Sequence, residues 1–127
     1  FLGFQSDVVP LMHTCDLIAH TSTAPEPFGR VIIEGMLCQK PVVAAAAGGV
    51  VELIENGKTG WLFSPESSQQ LAEVICHIKN HPDKVKKVAE LAKIKAMQNF
   101  KLDSINQQIS QILSEAYSKQ QARGNRQ

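Results

Sequence analysis

Through the first 65 residues, short apolar runs rich in β-formers alternate with stretches of helical periodicity, and this alternation limits the fold more than any other feature. Parallel strands cannot be joined by a tight turn and need a crossover, usually a helix, so strand–helix–strand order is the signature of βα units in a parallel sheet. The predicted strands are residues 1–4, 16–21, 41–46 and 60–63. Between the first two, Val8, Leu11, Met12 and Cys15 recur at helical spacing. A second helix is predicted to start near Gly29-Arg30 and run through Leu37. A third, short one follows Gly48-Gly49 over residues 50–55 and ends at Asn56-Gly57, residues that tolerate positive φ.

After Pro65 the pattern is helical alone. Ser67 and Gln70 have the spacing of a capping box, and Leu71, Val74, Ile75 and Ile78 follow on one face. His81-Pro82 ends that helix. A further helix carries Val85, Val88, Ala89 and Ala92, and another Ile105, Ile109, Ile112 and Ala116, before a polar tail. The expected fold class is therefore α/β: a partial Rossmann-like parallel sheet of about four strands, flanked by helices and followed by an all-helical segment. Residues 1–117 form the expected domain and 118–127 the tail.

Composition narrows the partners. At 127 residues and 43% hydrophobic content the chain has the size and apolar content of one domain. A formal net charge of +1 argues against a general nucleic-acid binder, which needs a concentrated basic face. Residues 1–65 hold three basic and six acidic side chains, the remainder ten and six, so the second half is mildly basic. Lys84, Lys86, Lys87, Lys93 and Lys95 read as a solvated helix face, with weak contact to an anionic membrane surface as the alternative. Cys15, Cys38 and Cys76 are odd in number, scattered and set among apolar residues, so they are expected to be small core hydrophobes in a reducing compartment. No metal-ligand spacing is present, and no apolar run reaches the roughly 18 residues of a membrane span. A cytoplasmic location is the expectation, and a first residue Phe1 inside a strand-like run reads as an excerpt of a longer chain.

Ligands of open α/β sheets meet the carboxyl ends of the strands, where the chain turns into helix amino termini. Two segments fit that place. In residues 22–30, Pro25 and Pro27 restrict the backbone on either side of Glu26, and Gly29 lets a phosphate approach the helix that starts at Arg30. Glu34, one turn beyond Arg30, is a carboxylate among Ile32, Ile33, Met36 and Leu37 and needs a partner there. A diol suits it, since one carboxylate accepts two hydroxyl protons; a helix cap or a Lys pair would suit it too. In the second segment, Gly48-Gly49 can turn amides toward an anion or simply form a tight, closely packed turn.

Glu26-Pro27-Phe28-Gly29, then Glu34, then Lys40-Pro41-Val42-Val43, Gly48-Gly49 with Glu52, and Asn56-Gly57 before Gly60, resemble in order and spacing the donor-domain signature of retaining glycosyltransferase family 4, the GT-B "glycosyl transferases group 1". The resemblance runs from Phe1 to about Tyr117. It implies the C-terminal half-domain of a GT-B fold, binding a nucleotide-diphosphate sugar such as a UDP- or GDP-sugar for transfer, with no cofactor and no metal. By the same resemblance, Glu26 contacts the donor sugar as the catalytic glutamate, Phe28 and Gly29 approach the diphosphate with Arg30 beside them, and Glu34 binds the ribose hydroxyls. Gly48 and Gly49 would lie beside the donor.

Gln39 stands where the family usually has glycine, and Ser22 lies four residues before Glu26 where three is common. The family's basic phosphate-binding residues and its acceptor domain are expected upstream, so this chain alone is expected to be inactive, the sugar, lipid or small-molecule acceptor being bound elsewhere. A strand order of 3-2-1-4-5-6 would leave residues 16–21 as an open sheet edge, which is expected to recruit residues 1–4 or a second copy of the chain. A nucleotide-sugar 2-epimerase of the same architecture, or a non-catalytic α/β interaction domain, are the alternative readings.

Overall fold

The computed structural model describes residues 1–100, 106, 109–112 and 114. Its elements are α1 (Val9–Thr14), β1 (Ile18–His20), α2 (Arg30–Leu37), β2 (Val42–Ala45), α3 (Val50–Leu53), β3 (Trp61–Phe63), α4 (Ser68–Asn80) and α5 (Pro82–Phe100). The three strands form a parallel sheet in the order β1-β2-β3, with Ile18 opposite Val42 and Val43 opposite Trp61. Central β2 is buried at every position, as its unbroken run Val-Val-Ala-Ala requires of a strand covered on both faces.

On one face, Val43, Ala45, Trp61 and Phe63 pack with Ile78 of α4 and Val85 and Val88 of α5. Gly35 brings α2 close to the sheet: a Cβ there would lie 3.1 Å from Val42 Cγ2 and 3.2 Å from Ile18 Cγ1. Ile32 and Met36 of α2 are fully buried, each such side chain contributing about 1.5–3 kcal/mol. The chain leaves α2 through a Schellman motif, with Lys40 N–H donating to Gly35 O at 3.0 Å and Gln39 N–H to Met36 O at 2.9 Å. Gln39 occupies the left-handed position of that motif, at φ 56°, where glycine is the residue of least cost.

At the start of α4, Ser67 Oγ accepts from Gln70 N–H at 3.3 Å, while Gln70 Oε1 accepts from Ser64 N–H at 2.8 Å instead of from Ser67. Only one arm of the predicted capping box forms. α4 ends at Asn80 and α5 begins at Pro82, where His81-Pro82 was expected to break the helix. In α5, Val85, Val88, Ala89 and Ala92 are all buried. Glu55 accepts from Lys58 at 2.8 Å and from Lys95 at 3.1 Å, tying the turn before β3 to α5. Both lysines hold its carboxyl below the usual range.

Four expectations are corrected. Residues 1–4 form no strand, and Phe1, Leu2 and Phe4 are exposed. A strand exists through a ladder partner, and this segment pairs with none; instead Gln5 Nε2 donates to Leu2 O at 3.0 Å, a local turn contact. Among the described residues the sheet thus has three strands. Cys15 and Cys76 are exposed and Cys38 is half-buried, so the thiols are not core residues. Cys76 lies off the Leu71, Val74 and Ile78 face of α4, and apolar neighbours in sequence are not neighbours on a helix. Ile75 is likewise 38% exposed. In the lysine run, Lys84, Lys86 and Lys87 are exposed, but Lys93 and Lys95 are half-buried.

Phe1–Ala96 make one compact unit and a second starts at Met97. Of the predicted last helix, Ile109 and Ile112 are helical and exposed, while Ile105, Ala116 and the tail lie outside the described residues. Among the described residues no helix is long and apolar enough to cross a membrane.

Candidate functional site

The two glycine-containing segments meet at the carboxyl edge of the sheet. β1 ends at His20, and the chain crosses a proline-bounded loop to Glu26, which forms an isolated parallel bridge with Gly48. Gly49 N–H donates to Glu26 O at 2.9 Å. This approach is possible only without side chains on the second segment. A Cβ on Gly48, itself at φ 60°, would lie 2.6 Å from Glu26 O, and one on Gly49 2.4 Å from Pro27 O. The close-packing and ligand-facing readings of Gly48-Gly49 therefore describe one arrangement, in which the glycines set where the Glu26 loop sits.

Ser22 Oγ donates to Ala24 O at 3.1 Å, a local turn within this loop. Past Glu26, Phe28 is 55% exposed on the rim, and Gly29, at φ 68°, forms the left-handed N-cap of α2 with no side chain capping the helix. Gly29 is itself buried, with room for a Cβ only at 3.1 Å from Ile32 Cδ1 and 3.2 Å from Leu53 Cδ1. The amino end of α2 is thus open to an anion, with its dipole directed at the same rim.

Glu34 is half-buried, its side chain 27% exposed, and Arg30 Nε approaches its Oε1 at 3.0 Å across one helical turn. The partner its apolar setting demanded is an arginine of the same helix. Arg30 is 83% exposed, so the pair is solvent-screened and the carboxylate is reachable from outside. The Glu26 carboxylate is held differently, by His20 Nε2 through Oε2. His20 is the residue that reading the sequence missed. The available signal was a histidine closing a predicted strand six residues before an acid that prolines hold in place.

Glu26, Phe28, Gly29, Gly48 and Gly49 are thereby gathered at one edge, with Arg30 opening α2 and Glu34 one turn further along it. A cavity of about 460 Å³, lined by Asp16, Gln39, Pro41, Lys79 and Lys86 among others, opens where the strands begin, at the other end of the sheet. Among the described residues no cluster of His, Cys, Asp or Glu is arranged to hold a metal.

Comparison with known proteins identifies the family and the fold. Three crystal structures of Anabaena Alr3699/HepE, in complex with UDP, with UDP-glucose, and with UDP and glucose, are 54% identical to the chain, with TM-scores of 0.85, 0.84 and 0.84. They cover 91% of this chain and 31–32% of that protein. The C-terminal domain of the glycosyl transferase group 1 family protein LpcC from Francisella tularensis is similar at 28% identity and a TM-score of 0.71, over 80% of this chain and 53% of that one. Among curated relatives, the N-acetyl-alpha-D-glucosaminyl L-malate synthase of Bacillus anthracis is 29% identical over 112 residues, 88% of this chain. The chain spans 29% of that relative's length. The family profile described as Glycosyl transferases group 1 matches residues 1–95, and on that match the chain belongs to this family of GT-B glycosyltransferases.

Proposed function

We propose that this chain is the donor-binding half of a retaining glycosyltransferase and that its donor is a UDP-sugar. The observation that carries the reading is the junction of Glu26 with Gly48 and Gly49, which holds two strand-to-helix turns and one carboxylate on a single rim. A diphosphate at the open amino end of α2 meets the Phe28-Gly29 backbone, with Arg30 at the mouth. The ribose diol binds Glu34, sharing its carboxylate with Arg30 or displacing it. The donor sugar then lies beside Glu26, whose charge counts most as positive charge develops at the anomeric carbon. The similarity to HepE, solved with UDP and with UDP-glucose, supports uridine as the base.

The acceptor and the remaining phosphate contacts belong to parts of the intact protein outside this chain, so the chain alone binds donor without transferring sugar. Calorimetric titration of the intact protein with UDP, GDP and ADP tests the reading. Tightest binding of UDP is expected, and equal or absent binding of all three would reject it.

A further inference from the structure

We propose that His20 is a positioning residue for glycosyl transfer, acting through the Glu26 carboxylate; the proposal rests on the reading of Glu26 as the donor-sugar contact. His20 closes β1, so its backbone is fixed in the sheet by the pairing of His20 with Ala44. Its side chain is 11% exposed, and Nε2 bonds to Glu26 Oε2. Nδ1 is buried and, among the described residues, has no hydrogen-bond partner.

These facts assign the ring's role. A proton on buried Nδ1 would have no acceptor, and a buried N–H left unpaired is costly, so the proton resides on Nε2 and is donated to the carboxylate. Glu26 lies on a loop and its side chain is 36% exposed, so without this bond several rotamers would be open to it. The glycine turn fixes the Glu26 backbone and His20 fixes its carboxylate, one from each neighbouring strand. A reacting group displaced by about 1 Å loses on the order of a hundredfold in rate, which gives a residue with no substrate contact kinetic weight.

The test uses the intact protein and UDP release from UDP-glucose. H20F keeps ring volume and loses the donor, whereas the side-chain amide of H20Q places an N–H near the position of Nε2. H20F should lower kcat about ten- to a hundredfold with KM for UDP-glucose changed less than about threefold, and H20Q should restore kcat to within about fivefold of wild type. The double variant H20F/E26A should be no slower than E26A, because His20 acts only through that carboxylate. Long-range ¹H–¹⁵N spectra of the wild type should show His20 protonated at Nε2 and not at Nδ1. Wild-type kcat in H20F with an impaired E26A, equal impairment of H20F and H20Q, an additive double variant, or a proton on Nδ1 would each overturn this proposal alone. Wild-type kinetics in E26A would overturn it together with the reading of Glu26.

Discussion

The Gly49 amide donates a 2.9 Å hydrogen bond to the carbonyl of Glu26, so the acidic loop after β1 and the glycine turn after β2 are joined through backbone. Backbone cannot withdraw as a side-chain end can. Gly48→Ala and Gly49→Ala, whose Cβ atoms would meet Glu26 O and Pro27 O at 2.6 and 2.4 Å, should therefore each cost at least about 3 kcal/mol. Gly57→Ala, at φ 75° with open space around it, should cost only the conformational penalty of about 1–2 kcal/mol. Equal losses in thermal unfolding of the three variants would contradict this.

Gln39 presents the reverse case. It holds the left-handed position of the Schellman motif at φ 56°, and its N–H bond to Met36 O does not depend on its side chain. Gln39→Gly should stabilise the chain by about 0.5–1 kcal/mol, the relief of left-handed strain less the added entropy of the unfolded glycine. Urea unfolding checks it, and a destabilised variant would show that the glutamine side chain makes a compensating contact.

Much of this was legible beforehand because βα alternation and helix periodicity are local. The second helix, the β2 run and the α4–α5 break at His81-Pro82 lie where the sequence puts them. Other features depended on partners distant in sequence. Residues 1–4 have strand-like composition but no ladder, and Cys76 has apolar sequence neighbours but an outward helical position. At the site, both acids, Gly29 and the Gly48-Gly49 pair were visible as motifs. Their junction was not, because a 2.4 Å steric exclusion between Gly49 and Pro27 O leaves no periodic trace. His20 was missed for the same reason, since its meaning comes from Glu26 folding back over it.

Acid should weaken the fold in two windows. Desolvation, with the charges of His81 and Lys84 nearby, holds the His77 imidazole below its ordinary value, so the folded state binds its proton less readily than the unfolded one. Stability is lost as pH falls below about 6.5, the unfolded value, and the loss is complete below the folded one. Glu55, lowered by Lys58 and Lys95, contributes stability above the unfolded carboxylate value of about 4.3 that disappears as pH falls through its folded value. In denaturant titrations from pH 8 to 3, His77→Gln should flatten the upper step and Glu55→Gln the lower one. Unchanged profiles would reject the assignment.

In the intact protein, Glu34→Gln should weaken UDP binding about tenfold, the scale of a hydrogen bond to a charged group. Glu26→Ala should lower kcat by about a hundredfold or more with little change in UDP affinity, since a ribose contact acts in ground and transition states alike and a sugar contact acts more strongly in the latter. Calorimetry and steady-state kinetics separate the two, and wild-type behaviour in both would reject these roles.

In the proposed function one nucleotide-sugar site spans the two strand-to-helix turns. Titration of the ¹⁵N-labelled chain with UDP, followed by backbone amide shifts, addresses it directly. Residues 26–34 and 48–51 are expected to shift together with a single dissociation constant. Shifts confined to α4 and α5, or to the cavity around Asp16, Gln39 and Lys86 where the strands begin, would contradict it.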